Sequence, residues 1–143
     1  MRTTSELRPL LLDTHIWLWL VLGSAVLSSA GRKRISGAAS VGNLRIAAIT
    51  VWEIALLASR SRIILGKPTI LWVAEADAAS TVTIEPLSPS IAVKSWELPE
   101  TFHPDPADRM IVATARVTGA VLMTRDQQIL DYAARGHLAA IAA

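Results

Sequence analysis

Five short apolar runs recur along the chain, at residues 10–12, 44–49, 81–84, 121–123 and 138–141, each parted from the next by one or two helix-length stretches. No other feature restricts the fold as much. Antiparallel neighbours can be joined by a two-residue turn, whereas parallel neighbours need a crossover of a dozen or more residues, usually a helix. The intervening stretches predict helices over 14–21, 25–39, 50–61, 69–79, 88–96, 105–118 and 127–135, with a loop at 99–104. In the sixth of these, Ala107, Met110, Ile111, Thr114, Ala115 and Thr118 recur at helical spacing on one face. Gly119 and Gly136 stand where a helix stop favours glycine. Strands alternating with helices at this spacing imply an α/β protein: a parallel sheet covered by helices.

Composition narrows the class further. A chain of 143 residues, 52% hydrophobic and 18% charged, fits one globular domain over 1–143, since no Pro/Gly/Ser linker divides it. Disorder requires the opposite balance. The absence of cysteine excludes a disulfide framework, thiolate-bound zinc, iron–sulfur ligation and a cysteine nucleophile, and suits a reducing, cytoplasmic setting. A net charge of +2 is too small to announce a nucleic-acid partner by itself. Arg2 and Arg8 before an apolar segment give the start a faint signal-peptide look, but Asp13 and His15 interrupt it. The run 16–22 falls well short of the roughly 20 residues a membrane span needs, so no membrane association is expected.

Four carboxylates fall on one edge of such a sheet. In a parallel sheet with helical crossovers, strand C-termini and the N-termini of the following helices share one edge, where these folds bind ligands. Asp13 ends the first strand, Glu53 lies in the first turn of the helix after the second, Asp108 in the first turn of the helix leading to the fourth, and Asp126 directly after the fourth. Each alone reads as helix capping. Thr50-Val51-Trp52-Glu53 matches a capping box, Asp105 is a natural N-cap with Pro106 at N1, and Asp13 and Asp126 each precede a helix. Together they demand more. Carboxylates a few ångströms apart repel by several kcal/mol, and the usual stabiliser is a hard divalent cation, Mg²⁺ or Mn²⁺. His15, His103 and His137 are scattered, with no His–carboxylate cluster at zinc spacing. Such an acidic centre on an α/β sheet is most often a phosphoryl-transfer or phosphodiester site.

The residues around these acids resemble a known family. Leu11-Leu12-Asp13-Thr14-His15-Ile16-Trp17-Leu18-Trp19, Val51-Trp52-Glu53-Ile54-Ala55, His103-Pro104-Asp105-Pro106-Ala107-Asp108-Arg109-Met110-Ile111 and Met123-Thr124-Arg125-Asp126 resemble, in order and spacing, the four motifs of VapC-type PIN-domain ribonucleases. Pro104 and the apolar stretch 56–65 depart from the usual pattern, the latter in a way that suits a partner interface.

The resemblance implies a PIN-like three-layer α/β/α sandwich with a central parallel sheet of about five strands. It implies a Mg²⁺-dependent endoribonuclease leaving 5′-phosphate and 3′-hydroxyl ends. That enzyme would be the toxin half of a toxin–antitoxin pair, homodimeric and silenced by a VapB-like antitoxin. The catalytic and metal-holding set maps onto Asp13, Glu53, Asp108 and Asp126, with Asp105 either joining it or only capping. Thr14, Thr124, Arg109 and Arg125 are the candidate substrate-binding residues. Arg32, Lys33 and Arg34 read first as a solvated face, and the tryptophans as core or interface rather than base-stacking platforms. The apolar stretches 17–20 and 52–65 suggest a protein partner. The alternatives are a non-catalytic PIN-like RNA- or protein-binding module, a phosphatase or DNA nuclease, and a phosphotransfer receiver. The receiver would need an acidic pair after the first strand and a lysine after the last, but Thr14 follows Asp13 and no lysine lies beyond Lys94.

Overall fold

The computed structural model describes residues 8–79 and 82–143. Arg2 and residue 81, on which two of the expectations above partly rest, lie outside the described residues. In chain order the elements are β1 (Leu10–Leu12), α1 (Thr14–Val21), α2 (Ser29–Ser40), β2 (Leu44–Ala47), α3 (Ala48–Ser59), α4 (Thr69–Ala79), β3 (Val82–Glu85), α5 (Pro89–Lys94), α6 (Pro106–Thr118), β4 (Val121–Thr124), α7 (Gln127–Ala134) and β5 (Ala140–Ala142). The strands form one fully parallel five-stranded sheet in the order β3-β2-β1-β4-β5.

Side chains alternate across this sheet, and that alternation builds three layers. Leu10 and Leu12 of β1 and Val121 and Met123 of β4 point to one face, packing against Ile16 and Trp17 of α1, Ile35 of α2, Ile54 of α3 and Trp72 of α4. Leu11 and Leu122 point to the other face, against Ile91 of α5, Ile111 and Val112 of α6, and Ile129 and Tyr132 of α7. All three residues of β1 are buried, as expected of a strand covered on both faces. Trp17 and Trp72 meet edge to face at 5.7 Å. No helix among the described residues is long and apolar enough to cross a membrane.

The helix stops fall where glycine was expected: Gly119 and Gly136 both take positive φ, at 72° and 89°. Most elements end within one or two residues of expectation, and two of the shifts have a local physical reason. The second helix starts at Ser29 rather than 25, because Ser28 caps it through a 3.0 Å bond from the Gly31 amide to its Oγ. The strand expected over 44–49 ends at Ala47, and α3 follows without a loop, with Ala47 at the N-cap and no side-chain cap bond. The capping box read at Thr50–Glu53 is therefore absent, and Glu53 sits in the second turn of α3 rather than the first. Moving the N-cap from Thr50 back three residues to Ala47 turns Thr50 and Glu53 inward, toward Thr14 just past the end of β1.

Strand order reverses between β1 and β4: β1 connects outward to β2 and β3, while β4 and β5 extend the other side. This is the topological switch point at which open α/β sheets bind ligands beyond the strands' carboxyl ends. Asp13 and Asp126 flank it directly.

Candidate active site

The site grows from the ends of β1 and β4. The Asp13 amide donates to Met123 O at 3.0 Å, extending the β1–β4 ladder by one step. The Asp13 side chain is buried, and both its oxygens are engaged. Oδ1 accepts from the Thr14 amide at 2.8 Å, and Oδ2 accepts from Thr124 Oγ1 at 2.6 Å. The same Thr124 Oγ1 accepts from the Asp126 amide at 2.9 Å, so one hydroxyl ties the two acids across the switch point. Asp126 in turn caps α7, its Oδ1 accepting from the Gln128 and Ile129 amides at 2.8 and 3.3 Å.

Glu53 enters from α3. Its Oε1 accepts from Thr14 Oγ1 at 2.5 Å, and Thr14 Oγ1 lies 2.9 Å from Thr50 Oγ1. A hydroxyl has one proton to donate. Thr14 gives its proton to Glu53, so Thr50 must donate to Thr14. This relay of buried hydroxyls fixes Glu53, yet burial still pushes its carboxyl above the ordinary 4.5; the Thr14 bond opposes that rise, while Asp13 and Asp105 add to it.

Asp108 enters from the first turn of α6. Asp105 caps this helix, accepting from the Asp108 amide at 3.1 Å. Burial, followed by the charges of Asp13, Asp105, Asp126 and Glu53, pushes the Asp108 carboxyl up to about 7. Each of the acids expected at one sheet edge thus acts electrostatically on Asp108. A carboxyl pushed up to about 7 by burial and by like charges is a group that a divalent cation would re-ionise. Among the described residues, Asp108 and Asp126 present ligand atoms close enough to fit such an ion, whereas Asp13 and Glu53 couple to Asp108 through their charges and stand outside that ligand group.

Two histidines join the acids, correcting the reading of the histidines as scattered. His103 Nε2 lies 3.2 Å from Asp108 Oδ2, and His103, Asp108 and Asp126 present ligand atoms within 4.8 Å of one another. His15 accepts from the Arg125 amide through Nε2 at 3.1 Å, leaving its proton on Nδ1, which lies 3.7 Å from Asp13 Oδ2. The only sequence signal for His103 was its place five residues before Asp108; Thr50 carried none once it was read as a cap.

The remaining candidates lie elsewhere or are differently occupied. Arg109 donates from Nε to Ser95 O at 2.8 Å and from Nη1 to Phe102 O and His103 O at 3.0 and 3.4 Å, with its guanidinium 4.8 Å over Trp96. It clamps the loop before α6 rather than forming an ion pair. Arg125 donates to Ala143 O at 3.1 Å and Val26 O at 2.7 Å and stacks on Trp19. Arg32 is bonded to Ser24 O, while Lys33 and Arg34 line a groove of about 450 Å³ on α2, formed by residues other than the acids. Trp17 and Leu18, read as part of a partner surface, are buried in the core. Trp52, Ile64, Ile70 and Leu71 are exposed.

A five-stranded parallel sheet between helical layers, with acids gathered at its switch point, defines a class as well as a geometry. The PIN domain family matches residues 10–135, and the chain belongs to that family. Among its relatives it is similar to Ribonuclease VapC22 of Mycobacterium tuberculosis (strain ATCC 25618 / H37Rv), with 38% identity over 123 residues, 85% of this chain and 90% of the relative. The fold also matches DNA-bound VapBC from Salmonella typhimurium, with a TM-score of 0.67 at 15% identity, covering 95% of this chain and 98% of that one. FitAcB from Neisseria gonorrhoeae matches with a TM-score of 0.60 at 20% identity, covering 92% and 96%. At such identities these two likenesses speak to the fold alone.

Proposed function

We propose that this chain, acting as a single unit over 1–143, is a divalent-metal-dependent endoribonuclease, the toxin of a VapBC-type toxin–antitoxin pair. The observation that carries the reading is the gathering of Asp13, Glu53, Asp108 and Asp126 at the β1–β4 switch point, where burial first, and then the charges of the other acids, raise Asp108 to about 7. The likeness to a protein named a ribonuclease supports the substrate class. Asp13, Asp108 and Asp126, with Glu53, would hold Mg²⁺ or Mn²⁺. When bound, the ion supplies neutralising charge for the scissile phosphate and acidifies the attacking water.

The chain's own residues prepare this chemistry. Thr124 and the Thr14 amide aim both oxygens of Asp13, so its carboxylate needs no reorganisation during the reaction. Thr14, backed by Thr50, holds Glu53 where it can orient water or accept a proton from it. Hydrolysis forms a bond from the water oxygen to phosphorus and breaks the bond from phosphorus to the 3′-oxygen. The leaving oxygen takes up a proton, and 5′-phosphate and 3′-hydroxyl ends result.

The exposed apolar residues Trp52, Ile64, Ile70 and Leu71 support a protein partner, which we assign to a VapB-like antitoxin; the active species is a homodimer working in the cytoplasm. The test is incubation of the purified chain with structured RNA in Mg²⁺, in Mn²⁺ and in EDTA, beside an Asp13→Asn variant. Cleavage that needs the metal and vanishes in the variant is expected. Undiminished cleavage by the variant would refute the site.

A further inference from the structure

His103 is held against the acidic centre with more constraint than packing alone requires. Its backbone carbonyl and that of Phe102 both accept from Arg109, the residue after Asp108, and its ring lies 4.4 Å from that of Phe102. The loop is thereby locked to the same helical turn that presents Asp108. Nε2 is sealed from solvent and makes no hydrogen bond among the described residues; its 3.2 Å approach to Asp108 Oδ2 lacks hydrogen-bond geometry. An orphaned buried nitrogen is costly unless something engages it.

The spacing indicates what does. Two donors at right angles around an ion about 2.1 Å away stand about 3 Å apart. His103 Nε2 and Asp108 Oδ2 are 3.2 Å apart, and an oxygen of Asp126 lies within 4.8 Å of both. An ion pair with Asp108 alone would direct an N–H at the carboxylate, which this geometry does not do.

We propose that His103 Nε2 is a nitrogen ligand of the divalent ion, beside Asp108 and Asp126, and that this mixed donor set makes the centre prefer Mn²⁺ to Mg²⁺. The inference rests on the metal centre of the proposed function and specifies its donors. Carboxylates and water suit either ion, but imidazole suits transition metals and contributes little toward Mg²⁺. Loss of the imidazole therefore weakens Mn²⁺ selectively.

The test uses the full chain, stripped with EDTA and dialysed, then titrated with MnCl₂ alone. Free Mn²⁺ is read by electron paramagnetic resonance, and the bound fraction by pulsed measurements of nitrogen coupling. The native chain is expected to show coupling from a directly bound imidazole, changed in character when histidine is labelled with ¹⁵N. His15→Ala keeps the coupling, and His103→Ala loses it. Mn²⁺ affinity falls about tenfold or more in His103→Ala, while Mg²⁺ affinity, measured by competition, changes by about threefold or less. Bound Mn²⁺ without nitrogen coupling, coupling that survives His103→Ala, or equal weakening of both ions overturns the assignment and leaves the acidic centre standing. Failure of the native chain to bind Mn²⁺ at all overturns both. The labelled native chain decides the coupling even if His103→Ala does not fold.

Discussion

Asp108 gives the sharpest prediction, because a carboxylate disfavoured by burial and by neighbouring acids should make the metal-free protein less stable than a neutral substitute would. Its carboxyl titrates near 7 in the folded chain against an ordinary 3.8. At about 1.4 kcal/mol for each pH unit, that difference is about 4 kcal/mol. The side chain is 22% exposed, so solvent screening brings the figure to about 2 kcal/mol. Asp108→Asn removes the desolvated charge and its repulsion but also forfeits the favourable charge in the first turn of α6, worth about 0.5 kcal/mol. A net gain of about 1.5 kcal/mol raises the melting temperature of a chain this size by about 3–6 °C.

The sign follows from the raised pKa. Below about pH 4 both folded and unfolded chains carry the proton, and the substitution gains nothing. Between 3.8 and about 7 the unfolded chain loses its proton while the folded one keeps it, so native stability falls with rising pH. The advantage of Asp108→Asn therefore opens through that window and is complete above 7. Scanning calorimetry in EDTA at pH 4, 6 and 8 reads it directly. A variant melting at or below the native chain at pH 8 would refute the raised Asp108 pKa and the cost assigned to its ionised form.

Other substitutions probe the supports. Thr124→Val leaves Asp13 Oδ2 and the Asp126 amide without partners and should cost about 2–3 kcal/mol in urea unfolding. It should also lower metal affinity about 10–100-fold by calorimetry. Thr14→Val strips Glu53 of its donor and leaves Thr50 unpaired, costing about 1–3 kcal/mol; an unchanged urea midpoint would contradict the hydroxyl relay. Arg109→Lys cannot span three carbonyls, so amide exchange should quicken across residues 95–103. A change in KM for RNA with unaltered exchange would instead place Arg109 on the phosphate. Trp17→Ala opens a cavity beneath the sheet beside Trp72 and should cost about 3–5 kcal/mol in the same assay.

The sheet and its helices were legible because β1 and β4 are buried on both faces and read as continuous apolar runs, while α6 declares itself by a cap, a proline and a glycine stop. Asp13, Asp105 and Asp126 were legible as caps for the same local reason, and each does cap a helix. Glu53 was placed on the right edge by the wrong argument. Sequence favoured Thr50 as a cap, but the junction after Ala47 needs none, and the hydroxyl turned inward to Thr14 instead. Strand order lay beyond local pattern, since parallel pairing is decided by crossovers rather than by adjacent residues. The place of His103 was hidden for a similar reason: it depends on a loop held by Arg109 through main-chain carbonyls, which leave no trace in side-chain chemistry. Arg109 and Arg125 misled by adjacency, sitting beside site acids in sequence while their side chains turn to backbone carbonyls.

If water is the nucleophile that cuts RNA at the carboxylate centre, the ends of the products will show it. Structured RNA incubated with the chain and Mn²⁺ or Mg²⁺ should yield fragments bearing 5′-phosphate and 3′-hydroxyl groups, with none formed in EDTA. Fragments ending in 2′,3′-cyclic phosphate, formed with or without metal, would mean that the RNA's own hydroxyl is the nucleophile and would contradict the account.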